Sequence, residues 1–423
     1  MPLMSGAVID LVVRAGTLLD PATGVTLPDR RILVADGRVV AVLGPEDRGA
    51  ETGAAETLNL GGLTVLPGLI DCHAHLIGDL EYSGMPAIGQ TAEHELMAGV
   101  AHAAATLRAG FTTVRDVGTF RAFLDIRLRD LIDAPGRPDV VGPRMQCAAG
   151  YITKPGGGGE VTGRQDVSIP TEFRRGVVRS VDDVRDAVRR FADGGAGLIK
   201  VIATGAVLTE GTALDEIEVA PRLLEAAVVE AASHDLFVAA HAHGTAGIKA
   251  AIRAGVRSIE HGSLLDDEGI ALLIEHGTWL VADVYDGDWI DAVGRRDGWP
   301  AETLRKNAET TEAQRDAFRR SLAAGVRLAF GTDSGVYPHG MNAIQFGYMV
   351  RLGMTPLDAI RSATIGAAEL MGWADRVGSL EPGRYADFIA VAGDPTIDVE
   401  ALRDPILVAK GGVIARDDRA AAP

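Results

Sequence analysis

Cysteine is scarce in this 423-residue chain, which contains only Cys72 and Cys147. Two cysteines are too few for a disulfide framework, and neither their spacing nor their surroundings suggest a zinc knuckle. Long apolar runs are also missing, because no uninterrupted stretch reaches the ~18 residues needed to span a bilayer. These absences argue against a disulfide scaffold and against a membrane-spanning protein.

Basic clusters are absent as well. The formal net charge is −17, and the arginine pairs at 174–175 and 189–190 lie in segments of mixed charge. Because phosphate binding needs clustered Lys and Arg, we expect neither nucleic acid nor a membrane as a partner. Residues 1–12 lack a basic region followed by a sustained apolar stretch, so we predict no signal peptide and a cytoplasmic location.

Apolar residues make up 47% of the chain, enough for a substantial core. The length predicts either one large barrel or two to three domains. Both ends resemble short strands with glycine turns, and the Asp36–Gly37 pair predicts a hairpin over residues 31–42. We therefore predict a small β domain, taken as a β-sandwich, built from residues 1–63 and 376–423.

The middle of the chain, residues 64–375, alternates short apolar strands with amphipathic helices. The candidate strands are 64–73, 112–117, 144–149, 197–203, 236–242, 256–261, 278–284 and 327–333. Helices fit between them, for example over 181–192, 220–234 and 267–275. Eight such alternations favour an α/β fold with a (β/α)₈ TIM-like barrel, although periodicity alone also fits a doubly wound sheet.

Reactive side chains decide between these folds, because they recur at successive strand ends. His73 and His75 end the first strand and share one face, since side chains alternate along a strand. The others are Lys200 in strand four, His241 and His243 in strand five, His261 in strand six and Asp333 in strand eight. A His-x-His pair alone is more often structural, but this ordered series indicates a metal site at the carboxyl end of a barrel.

The series resembles the amidohydrolase superfamily, and in detail its imidazolonepropionase-like branch. That branch includes prolidases, Xaa-Arg/Lys carboxypeptidases and ochratoxin-hydrolysing amidohydrolases. Residues 65–75 (VLPGLIDCHAH) look like its first-strand signature, and the resemblance covers nearly the whole chain. Further matching blocks are GFTTVRD at 110–116, SIEHG at 258–262, GTD at 331–333 and GSLEPGRYAD at 378–387.

The resemblance implies a binuclear site for two divalent ions, usually Zn²⁺. His73, His75 and Asp333 would bind one ion, and His241 and His261 the other. Lys200 would bridge them after CO₂ carboxylates its amine, which replaces a repelling cation with an oxygen ligand. A hydroxide between the ions would then attack an amide carbonyl, with Asp333 as general base and then general acid.

Substrate contacts are less clearly indicated. We assign His243 to the substrate, and Tyr285, Tyr337 and His339 follow strands seven and eight, where they are placed to contact it. Four consecutive glycines at 156–159 follow strand three and favour a mobile lid over an anion cradle. Relatives often carry a histidine near such a run, and this chain has none.

The preferred activity is hydrolysis of dipeptides or N-acyl amino acids, in the manner of a dipeptidase or carboxypeptidase. Hydrolysis of a non-peptide amide, urea or carbamate, including ochratoxin-type substrates, would use the same residues. A mononuclear deaminase or cyclic-amidine hydrolase is less favoured, because those relatives generally lack a lysine ligand in strand four. A non-catalytic scaffold is disfavoured since no ligand is missing, and resemblance implies a homo-oligomer, a tetramer or octamer.

Overall fold

The structure, a computed structural model, describes residues 8–47, 56–78, 89–137, 139–160 and 169–420. Its strands are β1 Leu11–Asp20, β2 Val25–Ala35, β3 Arg38–Leu43, β4 Glu56–Pro67, β5 Leu69–Ala74, β6 Phe111–Asp116, β7 Arg144–Cys147, β8 Tyr151–Ile152, β9 Ile199–Ile202, β10 Val238–Ala242, β11 Ser258–His261, β12 Trp279–Val281, β13 Phe388–Val391, β14 Leu407–Lys410 and β15 Val413–Asp417. Its α-helices are α1 Ala92–Arg108, α2 Leu124–Asp133, α3 Val181–Asp193, α4 Pro221–Ala232, α5 Thr245–Ala254, α6 Asp267–His276, α7 Asp286–Asp297, α8 Ala301–Ala324, α9 Ile344–Arg351, α10 Pro356–Ser362 and α11 Ile365–Met371. Short 3₁₀ helices cover Thr171–Phe173 and Val399–Arg403.

Both ends of the chain contribute to one seven-stranded sheet, with the order β15-β14-β13-β4-β1-β2-β3. The predicted hairpin is confirmed, because β2 and β3 pair antiparallel and Asp36 and Gly37 between them have φ of 50° and 71°. Positive φ at both positions matches a type I′ turn. Val13, Ile32 and Phe388, from both ends of the chain, pack in one apolar core of the seven-stranded sheet. The described residues place these strands in a single sheet, so the predicted sandwich is not confirmed.

The predicted strand over 64–73 is divided between two sheets. β4 ends at Pro67 in the terminal sheet, where Leu66 pairs with Ile389, and β5 begins at Leu69 beside β6. Gly68 separates them, and a Cβ at this position would collide with Thr112. The prediction of one continuous strand was wrong, because a single apolar run of sequence contains the end of β4 in one sheet and nearly all of β5 in another.

The middle of the chain forms two parallel sheets, with orders β5-β6-β7 and β12-β11-β10-β9-β8. The Gly197 N–H donates to the Cys147 carbonyl (2.8 Å) and links them on one side. On the other side, the Ala329 N–H donates to Leu280, and the Cys72 N–H donates to Phe330. The predicted strand 327–333 therefore makes only isolated bridges, and a closed eight-stranded ring stays a prediction.

Helices connect the parallel strands, as the sequence predicts. The helices expected over 181–192, 220–234 and 267–275 correspond to α3, α4 and α6. Ser180 and Asp183 begin α3 with a reciprocal capping box, which pairs otherwise unsatisfied N–H groups. In the described parts of the chain, no helix combines the length and hydropathy needed to cross a membrane.

Candidate active site

The carboxyl ends of the parallel strands surround a cavity. Neighbouring parallel strands end at the same edge, so residues far apart in sequence meet there. All seven side chains predicted at the metal site or beside it line this cavity: His73, His75, Lys200, His241, His243, His261 and Asp333. The sequence pattern and the geometry therefore agree on where reactive groups converge.

One group of potential ligands consists of His73, His75 and Asp333, each offering an atom within 4.8 Å of the others. The Asp333 carboxylate lies 3.3 Å from His73 Nε2 and 3.2 Å from His75 Nε2. The Gly118 carbonyl lies 2.7 Å from His75 Nδ1 and accepts its proton. This hydrogen bond selects the tautomer whose Nε2 is free to bind a metal ion.

A second group consists of His241, His243 and His261, again with one atom each within 4.8 Å. His241 Nε2 is buried and has no hydrogen-bond partner among the described residues, as expected for an atom that binds an ion. Burial and the neighbouring His261 and His243 lower the pKa of His241, which keeps its imidazole neutral. A neutral imidazole is the form that ligates metal, so this donor set fits a divalent cation.

His261 is fixed by a carboxylate on its far side. Its Nδ1 lies 2.9 Å from both oxygens of Asp283, and Gln314 Nε2 donates to Asp283 at 2.7 Å. The backbone of His261 has φ of 67°, a left-handed conformation that non-glycine residues adopt at a cost of about 1–3 kcal/mol. The hydrogen bonds of Asp283 help to hold this costly geometry with Nε2 directed away from Asp283.

Lys200 is buried in β9, with 1% of its surface exposed. Burial lowers its pKa to about 8, although the carboxylates of Glu260 and Asp333 oppose that shift. Near pH 8 about half of such amines are neutral. The neutral amine is the form that reacts with CO₂, so the environment of Lys200 suits carboxylation.

Asp333 remains ionised in this environment. Burial alone would raise its pKa, but His73 and His75 outweigh burial and hold the pKa well below its usual range. An ionised carboxylate is able to accept a proton from a water molecule. Asp333 can therefore act as a ligand or as a general base.

A buried ion pair lies beside Nδ1 of His73. The Glu260 carboxylate accepts two hydrogen bonds from Arg115 Nη2, at 2.8 and 2.9 Å, and lies 3.1 Å from His73 Nδ1. The sequence analysis did not identify Glu260, Arg115, Asp283 or Gln314. For the first three, the available signal was a charged residue inside or at the end of a predicted apolar strand, as for Lys200.

Tyr285, Tyr337 and His339 are not among the described residues that line the cavity. Tyr337 is fully buried, and its ring packs 5.0 Å from that of Tyr285. His339 stacks on His102 with ring centroids 4.3 Å apart. These side chains pack against neighbouring rings, and their contact with the substrate stays a prediction.

Aromatic contacts to the cavity come from Tyr151 and Phe120. The Tyr151 hydroxyl donates to the Gly118 carbonyl at 2.9 Å, and its ring lies edge-on to His75. Sequence reasoning missed both residues, because Phe120 lies in a connecting loop and Tyr151 in a two-residue strand.

The backbone of the glycine run donates hydrogen bonds to two carboxylates, one in its own loop and one in the segment that precedes α4. Glu218 accepts from the Gly158 N–H at 2.9 Å, and Glu160 accepts from the Gly156 N–H at 2.6 Å. Gly158 itself lines the cavity. The loop was predicted as a mobile lid, and the structure gives it a bonded conformation at the cavity wall.

The chain is similar over most of its length to several known hydrolases. Ochratoxinase from Aspergillus niger is 31% identical in sequence over 95% of this chain and 85% of its own length. The crystal structure of A. niger ochratoxinase superimposes with a TM-score of 0.82 and covers 97% of this chain and 96% of that one. A Xaa-Pro dipeptidase structure with bound methionine is 33% identical, with a TM-score of 0.88 over 96% and 99% of the two chains. Imidazolonepropionase from Pseudomonas putida is 26% identical over 85% of this chain and 86% of its own length.

The fold and the ligand groups define a metal-dependent hydrolase that acts on C–N bonds. The amidohydrolase family matches residues 64–416, and the chain belongs to that family. The superfamily predicted from the strand-end residues is thereby confirmed.

Proposed function

We propose that this protein hydrolyses the amide bond of dipeptides or N-acyl amino acids with two divalent ions, expected to be Zn²⁺. One observation carries the proposal, namely three overlapping groups of potential ligands and a buried lysine around one cavity; the third group is His261, Asp283 and Asp333. His73, His75 and Asp333 would hold one ion, and His241 and His261 the other. Lys200 would join them as a carboxylated side chain, and His243 would contact the substrate.

The chemistry is divided between the ions and the protein. Bound divalent ions lower the pKa of water and polarise a carbonyl group. Asp333 then accepts a proton from the attacking water at its carboxylate and delivers it to the leaving nitrogen. The Asp283 carboxylate lies 2.9 Å from His261 Nδ1 and the Glu260 carboxylate 3.1 Å from His73 Nδ1, which positions both rings.

The main test measures amine release from a library of dipeptides and N-acyl amino acids by zinc-loaded protein. We expect Asp333→Asn to lower kcat about 10²–10⁴-fold, the usual contribution of a general base. Lys200→Ala should lose activity together with metal. Asp288→Asn and Lys249→Ala, which change side chains outside the described cavity lining, serve as matched controls.

Carboxylation of Lys200 is tested separately by ¹³C NMR. Metal-loaded protein supplied with ¹³C-bicarbonate should show a carbamate resonance that is absent from Lys200→Met and present in Lys249→Met. A spectrum of Lys200→Met that keeps the resonance would contradict the assignment.

A second candidate function is hydrolysis of a non-peptide amide, urea or carbamate. Lys200 is the sole lysine among the described residues that line the cavity, and no arginine lines it there, so neither a second lysine nor an arginine of that lining offers an ion pair to a substrate carboxylate. If no member of the peptide library is hydrolysed and the protein binds two ions per chain, the result would favour this candidate. If nothing is hydrolysed and only one ion is bound per chain, a mononuclear deaminase or cyclic-amidine hydrolase would be favoured.

The finer architecture is proposed on the same basis. We place the site at the mouth of a closed (β/α)₈ barrel over residues 64–375, with a small β domain from 1–63 and 376–423. We also propose a homo-oligomer, a tetramer or octamer, which light scattering would test.

A further inference from the structure

The cavity has one distinctly apolar side. Val207, Leu208, Ile290 and Val336 line it there. All four also belong to or pack against a small apolar cluster, which includes Trp299 and is separate from the main core. The apolar face that meets the cavity is therefore backed by well-packed side chains.

Val207 and Leu208 come from the loop that follows β9. The Thr209 hydroxyl donates to the Gly158 carbonyl at 3.0 Å and connects this loop to the glycine run. The Thr212 hydroxyl donates to the Thr209 carbonyl at 2.8 Å and closes the loop on itself. These bonds restrict where the two apolar side chains can lie.

A buried ammonium anchors the same loop to α8. Lys306 is 1% exposed, and its Nζ donates to the Thr209 carbonyl at 2.7 Å and the Ala206 carbonyl at 3.2 Å. Its charge is balanced by Glu302, 2.7 Å away. A buried ammonium is costly unless it is paired and hydrogen-bonded, so loop and lysine depend on each other.

We infer that Val207 and Leu208, positioned by Lys306, form with α7 a wall that selects substrates bearing an aliphatic or aromatic group beside the scissile amide. Such a group would exchange water for contact with Leu208 and Ile290, which adds binding energy in proportion to the area covered. The inference rests on the proposed amide hydrolysis and specifies its substrate class.

The test compares two matched series, N-acetyl-Xaa and Xaa-alanine, in which Xaa is Gly, Ser, Asp, Leu or Phe. For wild-type protein, kcat/KM for Leu or Phe should exceed that for Gly by about tenfold or more in at least one series. Leu208→Asn should reduce this ratio, and the volume-conserving Leu208→Met should preserve it. Lys306→Met should reduce the ratio with metal content unchanged, whereas Lys249→Met should not.

Calorimetric titration with the same ligands separates this inference from the proposed function. If Leu or Phe ligands bind more tightly than Gly ligands and Leu208→Asn removes that difference, the result supports the apolar wall even when no ligand is hydrolysed. The absence of hydrolysis would then count against the proposed amide hydrolysis alone. Equal affinity and equal kcat/KM for Gly and Leu ligands would contradict the selective role of the wall. A preference for Leu that persists in Leu208→Asn would contradict it as well. If Lys306→Met does not fold, the Leu208 variants still decide the question.

Discussion

At the residue scale, three of the candidate imidazole ligands have a neighbouring acceptor at the ring nitrogen Nδ1. Gly118 serves His75, Glu260 lies beside His73, and Asp283 serves His261. Such partners fix the tautomer and direct the other ring nitrogen toward an ion. The sequence allowed the ligands to be predicted, because histidines at strand ends follow a regular pattern. It did not allow their partners to be predicted, because those come from other strands and from α8.

Replacing Asp283 should therefore weaken metal binding without removing a predicted ligand. We expect Asp283→Asn to lower affinity about 10–100-fold, because the amide no longer fixes His261 in the required tautomer. Metal content and competition with a chelator provide the measurement. Asp288→Asn is the control on the same segment, and equal loss of metal from both variants would contradict the role of Asp283.

Glu218 should give the fold a measurable pH dependence. Burial raises its pKa from 4.5 to about 7, against the opposing hydrogen bond from Gly158. The folded chain thus holds this proton more tightly than the unfolded chain. The resulting stability is fully present below pH 4.5 and is lost as the pH rises through 7.

Urea unfolding between about pH 5 and pH 7.5 tests this expectation. Glu218→Gln should lose less stability over that range than wild type, because its side chain does not ionise. Lys154 and Glu216 are the charged groups nearest Glu218, and Glu216→Gln is the exposed control. An unchanged slope in Glu218→Gln would rule out this source of pH dependence.

At the element scale, α8 contributes a polar stripe to the cavity. Asn307, Thr310, Thr311 and Gln314 lie at helical spacing, and all four line the cavity. A polar stripe on a helix usually indicates a solvent face, so sequence reasoning gave no reason to place it inside. Asn307 donates to the Gly287 carbonyl at 2.8 Å, which fixes the first turn of α7.

Removing the Asn307 amide should therefore destabilise the fold. Asn307→Leu removes the side-chain donor to the Gly287 carbonyl, at a cost of about 0.5–1.5 kcal/mol in the free energy of unfolding. Glu309→Leu, on the exposed side of α8, should change it by no more than about 0.5 kcal/mol. Denaturant unfolding of both variants gives the comparison, and equal values would argue against this hydrogen bond.

The elements also show where sequence patterns lose their power. The helices between parallel strands were predicted because their apolar spacing is local. The division of residues 64–73 between two sheets was not, since an apolar strand carries no mark of which sheet it joins. Tyr285 and His339 lie outside the described cavity lining, and sequence reasoning could not show this because the direction of a loop after a strand depends on packing with distant residues.

At the scale of the whole molecule, the candidate ligands come from both parallel sheets. His73 lies in β5 of the three-stranded sheet, and His241 and His261 lie in the five-stranded sheet. Ions bound between them would act as cross-links across the fold. Stability should therefore depend on metal concentration.

Metal loading should raise the thermal midpoint of unfolding, because each site adds about 2.7 kcal/mol when the free ion is at 100 times its Kd. Burial and Lys200 lower the pKa of His73. The Asp333 carboxylate raises that pKa, and its net value is about 9. An ion must displace that proton, so the gain should increase from about pH 7 to pH 9. Calorimetry with and without Zn²⁺ gives the measurement.

His73→Asn should lose most of this gain, whereas His234→Asn, at the end of α4, should retain it. A gain that is independent of both pH and His73 would show that the ion binds elsewhere.

The terminal sheet has a consequence for the order in time of assembly. Leu66 is only a few residues before His73, yet it pairs with Ile389, which the ribosome adds long afterwards. The strand that leads into the first two candidate ligands has β1 beside it from the start, but its second neighbour, β13, is made only near the end of synthesis. Such distant pairing slows folding. A nascent chain released before β13 would contain these histidines, but the strand before them would be paired only with β1 and would lack its second neighbour.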